Sequence, residues 1–149
     1  MCGEKEDILI HLFLNCKIAK TVWNLCYIGI GKVIVLHFEP KQHLRQFNIL
    51  RLYKVGNRAC KCIWITITRQ IWKQMNIILF RNTTIDPLEI FKLAQVKTWS
   101  WIIGKESLAA FSYSDWCINP ITCLKSIKKR KTLKWMFMLN FFVDYPHIW

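Results

Sequence analysis

Three residues able to bind a metal open the chain within "MCGEKEDILIHLFLNC": Cys2, His11 and Cys16. Structural zinc sites take four Cys or His ligands in a tetrahedron, commonly as one pair on a tight turn and a second pair at a helix start. His11 and Cys16, with four residues between them, match the second pair. Cys2 precedes His11 by eight residues and is followed by Gly3, whose missing Cβ suits a knuckle turn. Three ligands would leave one position open, as in catalytic zinc sites. Glu4 and Glu6 read as surface residues, with no general base beside the open position. On spacing alone, the trio is either a zinc site lacking a corner or a coincidence in a chain with seven cysteines.

Other catalytic chemistry finds little support. The aspartates Asp7, Asp86, Asp115 and Asp144 are too dispersed for a two-metal centre. Cys60-x-Cys62 has the wrong spacing for a thioredoxin-type redox pair. A P-loop, a G-x-S-x-G elbow and a His-Glu-x2-His helix are all missing from the sequence. The residues therefore predict a chain with no catalytic centre and no small-molecule substrate.

The charge points elsewhere. Twenty-two Lys and Arg against nine Asp and Glu give a net charge of +13, which favours RNA, DNA or an anionic surface. The densest basic run is "KSIKKRK", where Lys125, Lys128, Lys129, Arg130 and Lys131 are the expected nucleic-acid-binding residues. Such a run also suits a nuclear-localisation segment or a solvated helix face. An odd cysteine count argues against a disulfide framework, and no secretory signal or apolar run of membrane-spanning length is present. The expected setting is intracellular, with a nuclear location suggested by the basic run.

The elements that must position these residues read as helices. Hydrophobic residues make up 53% of the 149, which excludes intrinsic disorder. Ile18, Ala19, Val22, Trp23, Cys26 and Ile30 follow helical spacing, with Gly29 and Gly31 as stop signals. A basic helix is expected over "KQHLRQFNILRLYK", with Leu44 and Phe47 on its apolar side, after an apolar run that Pro40 ends. In "NRACKCIWITITRQIWKQMNIILF", a stripe from Cys60 through Ile63, Trp64, Ile67, Ile71, Trp72 and Met75 to Ile78 and Leu79 predicts a long amphipathic helix. Lys61, Arg69, Gln70, Lys73 and Gln74 fall on its opposite face. Asp86, Pro87 and Glu89 announce the next helix, with Leu88, Phe91, Ala94, Gln95, Thr98, Trp101 and Ile102 as its face and Gly104 as its cap. Trp64, Trp72, Trp99 and Trp101 are assigned to the core. "FSYSDWCINP" reads as a loop.

The segment "CGEKEDILIHLFLNCKIAKTVWNLC" resembles the zinc-binding domain that follows the reverse transcriptase in plant LINE-type (non-LTR) retroelement polyproteins. That family reads Cys-x2-Cys, an acidic stretch, His-Leu-Phe-x2-Cys and a Trp-bearing helix. "IWITITRQIWKQMNIILFRN", "IDPLEIFKLAQVKTWSWIIGK" and "FSYSDWCINPITCL" are similar to its later segments, so the resemblance covers about residues 2–124. Met75 departs from the Arg usual before Asn76. The resemblance implies that Cys2, His11 and Cys16 are the second, third and fourth ligands of a zinc site whose first Cys is not in this chain. It implies weak or absent zinc binding and a non-catalytic accessory domain, truncated at its first Cys, from a polyprotein with RNA-directed DNA polymerase activity.

The expected fold class is thus mainly α: antiparallel amphipathic helices with an incomplete N-terminal zinc knuckle. The expected organisation is a knuckle and helix over residues 1–32, a Trp-bearing helical region over 33–124, and a basic then apolar tail over 125–149. Two other readings stand beside it. One is an independent basic helical interaction protein in which Cys2, His11 and Cys16 are incidental; the other is a membrane-surface protein using the aromatic tail.

Overall fold

The computed structural model describes residues 11–33, 39–48, 52–81, 84, 86–107 and 109–127, and not the side chains of His11 and Leu79. The fold is all-α, as the periodicity predicts, and no strand occurs among the described residues. A single π-helical turn, His11–Asn15, leads into six α-helices: α1 Lys17–Gly29, α2 Pro40–Arg45, α3 Lys54–Arg81, α4 Pro87–Lys105, α5 Tyr113–Ile118 and α6 Pro120–Ser126.

α1 begins at Cys16, whose extended backbone and sulfur cap the helix by accepting from the Ala19 amide. It buries Ala19, Val22, Trp23, Cys26 and Tyr27, the i, i+3, i+4, i+7 face of an amphipathic helix. Its end is a Schellman turn. Gly31 sits at φ +64, its amide bonds to Ile28 and the Lys32 amide reaches back to Tyr27. Any residue with a Cβ would be strained there.

Pro40 opens α2 at a position where a missing amide costs nothing, rather than only ending the run before it. That helix is six residues long, shorter than the sequence suggests, yet it delivers His43 and then Phe47 to the core.

α3 is the centre of the molecule, about 42 Å long at 1.5 Å per residue. The expected stripe is buried from Cys60 to Met75 apart from the half-buried Trp72, but burial does not stop at one face. Cys62, Ile65, Thr66, Thr68 and Gln70 are buried too. The threonines are tolerable inside because Thr66 donates to the Cys62 carbonyl at 2.7 Å and Thr68 to that of Trp64 at 2.9 Å. Gln70 therefore leaves the polar face to which its spacing assigns it.

α4 packs mainly on α3 and next on α1, where the Phe91 ring lies against Gly29. Asp86 caps it by accepting from the Leu88 amide. Its buried line is Ile90, Ala94, Thr98 and Ile102, a strict four-residue ridge, so Leu88 and Trp101 of the predicted face are exposed instead. Gly104 lies within the last turn, and the cap falls at Glu106.

The expected loop at "FSYSDWCINP" is two short helices. Ser112 and Asp115 form a reciprocal capping box that starts α5, and the hydrogen bonds from Ser112 hold the Asp115 carboxyl below its usual range. Asn119 then starts α6 by accepting from the Thr122 amide at 3.0 Å. Asn119→Ala should cost about 1 kcal/mol in urea unfolding, the usual worth of such a cap, while Asn119→Ser should restore most of it. These helices bury Trp116, Cys123 and Leu124 and close the core against α3. Gly56 makes that closure possible: a Cβ there would stand 3.2 Å from the Leu124 carbonyl oxygen.

Candidate functional site

Of the three expected metal ligands, Cys16 is the one whose side chain the structure places. Cys2 and the His11 side chain lie outside the described residues, although the His11 backbone begins the π-helical turn. Cys16 is half-buried; its sulfur accepts from the Ala19 amide at 3.3 Å and its thiol proton points to the Leu12 carbonyl at 3.5 Å. Both contacts are local ones, made where Cys16 caps the start of the helix. Among the described residues, no three His, Cys, Asp or Glu side chains gather as a metal-binding group.

The segment around Cys16 is held firmly. Trp23, seven residues on, is fully buried and donates from its indole nitrogen to the Phe13 carbonyl at 2.9 Å. This bond ties the π-helical turn to α1, so the position of Cys16 is set by a core tryptophan. Phe13 and Leu14 are themselves buried.

Around Trp23 lies a polar centre that the sequence does not announce. His43 is fully buried among Trp23, Tyr27, Phe47 and Trp64, with the Trp23 ring edge-on at 4.5 Å. The Trp64 indole donates to His43 Nδ1 at 2.7 Å, and Tyr27 bonds to Nε2. An indole can only donate, so Nδ1 must be an acceptor and the ring neutral, with its proton on Nε2. Tyr27 keeps its proton because burial raises its ionisation above the usual phenol range. The arrangement joins α1, α2 and α3 through hydrogen bonds and offers no access to a substrate. Its role is architectural.

The buried thiols are equally quiet. Burial, reinforced by Cys60, raises the Cys26 thiol; burial pushes Cys60 up to about 12 against the nearby Lys32 and Lys61 charges. Cys62 is likewise pushed up to about 12, by burial and by Cys60. Thiols held protonated are poor nucleophiles and poor metal ligands. A cavity of about 20 Å³ lies among Cys26, Ile63, Thr98 and Trp116, large enough for one water but not for an organic substrate. The Trp116 indole nitrogen is buried with no hydrogen-bond partner among the described residues.

Of the expected nucleic-acid contacts, Lys125 lies in the last turn of α6 and is exposed; Lys128, Lys129, Arg130 and Lys131 lie outside the described residues. No helix among the described residues is long and apolar enough to cross a membrane. The fold and site thus define a small, basic, all-α domain built on buried tryptophans. No family model, curated protein or solved structure matches the chain.

Proposed function

We propose that the chain is a non-catalytic, nucleic-acid-binding domain of the kind found after the reverse transcriptase in LINE-type retroelements, carrying an incomplete zinc knuckle. The observation that carries this reading is the His11-Leu-Phe-x2-Cys16 motif followed by Trp23, with the +13 charge as its second support. The geometry at Cys16 is compatible with it: a capping sulfur, held in place through Phe13 and Trp23. In this reading Cys2, His11 and Cys16 hold zinc weakly, since a three-ligand set lacks one strong thiolate, and zinc when bound has a structural role.

Two measurements test it together. Binding to RNA or DNA should fall steeply between 50 and 200 mM salt, as release of counterions requires. Cobalt(II) added to reduced protein should give a weak thiolate charge-transfer band that Cys16→Ser removes. Salt-independent binding, or none at 50 mM salt, overturns the nucleic-acid role. A cobalt spectrum unchanged by Cys16→Ser overturns the knuckle. Should both fail, the independent helical interaction protein is the reading that survives.

A further inference from the structure

α2 is fastened differently from the rest of the fold. The other five helices each pack along at least one neighbour, and α2 does not. Over Pro40–Arg45 it buries one side chain, and that side chain is a histidine. Leu44 beside it is half-buried against the core, and Phe47 is buried two residues past the end of the helix. A further tether comes from Lys32, whose ammonium donates to the Gln46 carbonyl at 3.0 Å.

His43 thus does for α2 what the ridge from Ile90 to Ile102 does for α4, and it does so as a neutral ring. Its Nδ1 accepts from the Trp64 indole at 2.7 Å, and Tyr27 bonds to Nε2. An imidazolium carries a proton on both nitrogens and accepts nothing. A proton on Nδ1 would point at the Trp64 N–H, which can only donate. The charge would also be sealed from water among the rings of Trp23, Tyr27, Phe47 and Trp64. Ring faces attract cations, but they replace neither the hydration that full burial removes nor the bond lost at Nδ1.

The described charges around α2 do not offset this. From α1, Tyr27 is the titratable side chain that meets the imidazole, and burial keeps its phenol protonated. From α3, the Trp64 indole does not titrate. Lys32 places a cation on the Gln46 carbonyl, Lys41 and Arg45 of α2 are exposed cations, and Glu39 ahead of the helix is exposed to water.

We propose that His43 is an acid-released latch: its protonation frees α2 from the aromatic centre while the rest of the helical core stays closed. In the open form His43 is an ordinary histidine, which takes up a proton at about pH 6.5. The open form therefore binds that proton more readily than the closed one. Closure is fully favoured above about pH 6.5 and is lost as pH falls below it. The latch operates whether or not the chain binds nucleic acid or zinc.

Hydrogen exchange of the full chain, read by mass spectrometry at pH 7 and pH 5 and corrected for the intrinsic pH dependence of exchange, tests it. The reporter amides are those of His43, Phe47 and Asn48, which donate to the Glu39, Leu44 and Arg45 carbonyls at 3.0 Å. Their protection should fall by about tenfold or more from pH 7 to pH 5, because each pH unit below about 6.5 favours the open form by nearly tenfold. Amides of residues 60–75 in α3 and 90–102 in α4 should keep their protection. In His43→Gln, whose side chain donates and accepts but does not titrate, α2 protection should change by less than about twofold over the same range. Trp64→Phe is the second variant. Removing the facing N–H lowers α2 protection at pH 7 but should make its fall at pH 5 smaller by about threefold or more. Circular dichroism checks that each variant is folded, and Trp64→Phe decides if His43→Gln is not. The latch is overturned by α2 protection that is unchanged between pH 7 and pH 5, by an equal fall in His43→Gln, or by an undiminished fall in Trp64→Phe. A fall shared by α3 and α4 also overturns it, since that is acid unfolding of the whole domain.

Discussion

Trp23→Ala should destabilise the protein by about 3–5 kcal/mol, enough to remove a large share of the 5–15 kcal/mol typical of a domain this size. Trp23 is fully buried and meets Tyr27, His43, Phe47 and Trp64 with ring centres 4.5–6.2 Å apart, so truncation opens a cavity bounded by several rings rather than one that can collapse. It also orphans the Phe13 carbonyl, which takes the indole hydrogen bond. Trp23→Phe separates the two effects: most of the ring volume stays and the bond goes, for a cost of about 1–2 kcal/mol. Urea unfolding followed by circular dichroism measures both. With Phe13 released, the half-buried Cys16 thiol should also react faster with a thiol reagent in Trp23→Phe than in the unaltered chain. A loss below 1.5 kcal/mol for Trp23→Ala would show that the aromatic centre does not hold the three helices together.

Alkaline conditions should be nearly as damaging. Cys26, Cys60 and Cys62 are all raised by burial, the last two from 9.0 to about 12. Groups whose folded ionisation lies above the unfolded value stabilise the protein fully below about pH 9. That contribution is lost as pH rises from 9 towards 12, because the unfolded chain then releases protons that the folded chain keeps. Each thiol loses on the order of 1 kcal/mol by pH 10, so the three together weaken the fold by a few kcal/mol relative to pH 8. Urea midpoints at the two pH values check this, and Cys62→Ala should reduce the pH dependence by about a third. A midpoint unchanged between pH 8 and 10 would mean that these thiols are not sealed from water.

What the sequence disclosed, and what it hid, follows from how each element is stabilised. α3 and the start of α4 are legible because a long periodic stripe and an Asp-Pro-x-Glu start are local signals. α5 and α6 were hidden by their length: six and seven residues give less than two turns of periodicity, although Ser112-x-x-Asp115 and Asn119-Pro120 are start signals that could have found them. The face of α4 was misjudged because Trp101 and Leu88 look like core by type, whereas helix packing selects the four-residue ridge from Ile90 to Ile102. His43 had no signal at all. A histidine in a basic segment looks like surface until three helices close around it. At the knuckle, Cys16 is placed by capping and by Trp23, while Cys2 lies outside the described residues.

The all-round burial of α3 has a consequence for the chain before it folds. Residues 62–68, "CIWITIT", carry no charge, proline or glycine, and six of the seven are β-branched or aromatic with high strand propensity. Read without its partners, this stretch is a steric-zipper segment rather than a helix. Only packing on every side keeps it helical and hidden. Any opening that bares it exposes a template for intermolecular strands, and the charges immediately flanking it are Lys61 and Arg69, placed where gatekeeper residues would stand. The helix that organises the native core thus also holds a segment prone to aggregate, and its safety depends on how fast its neighbours arrive.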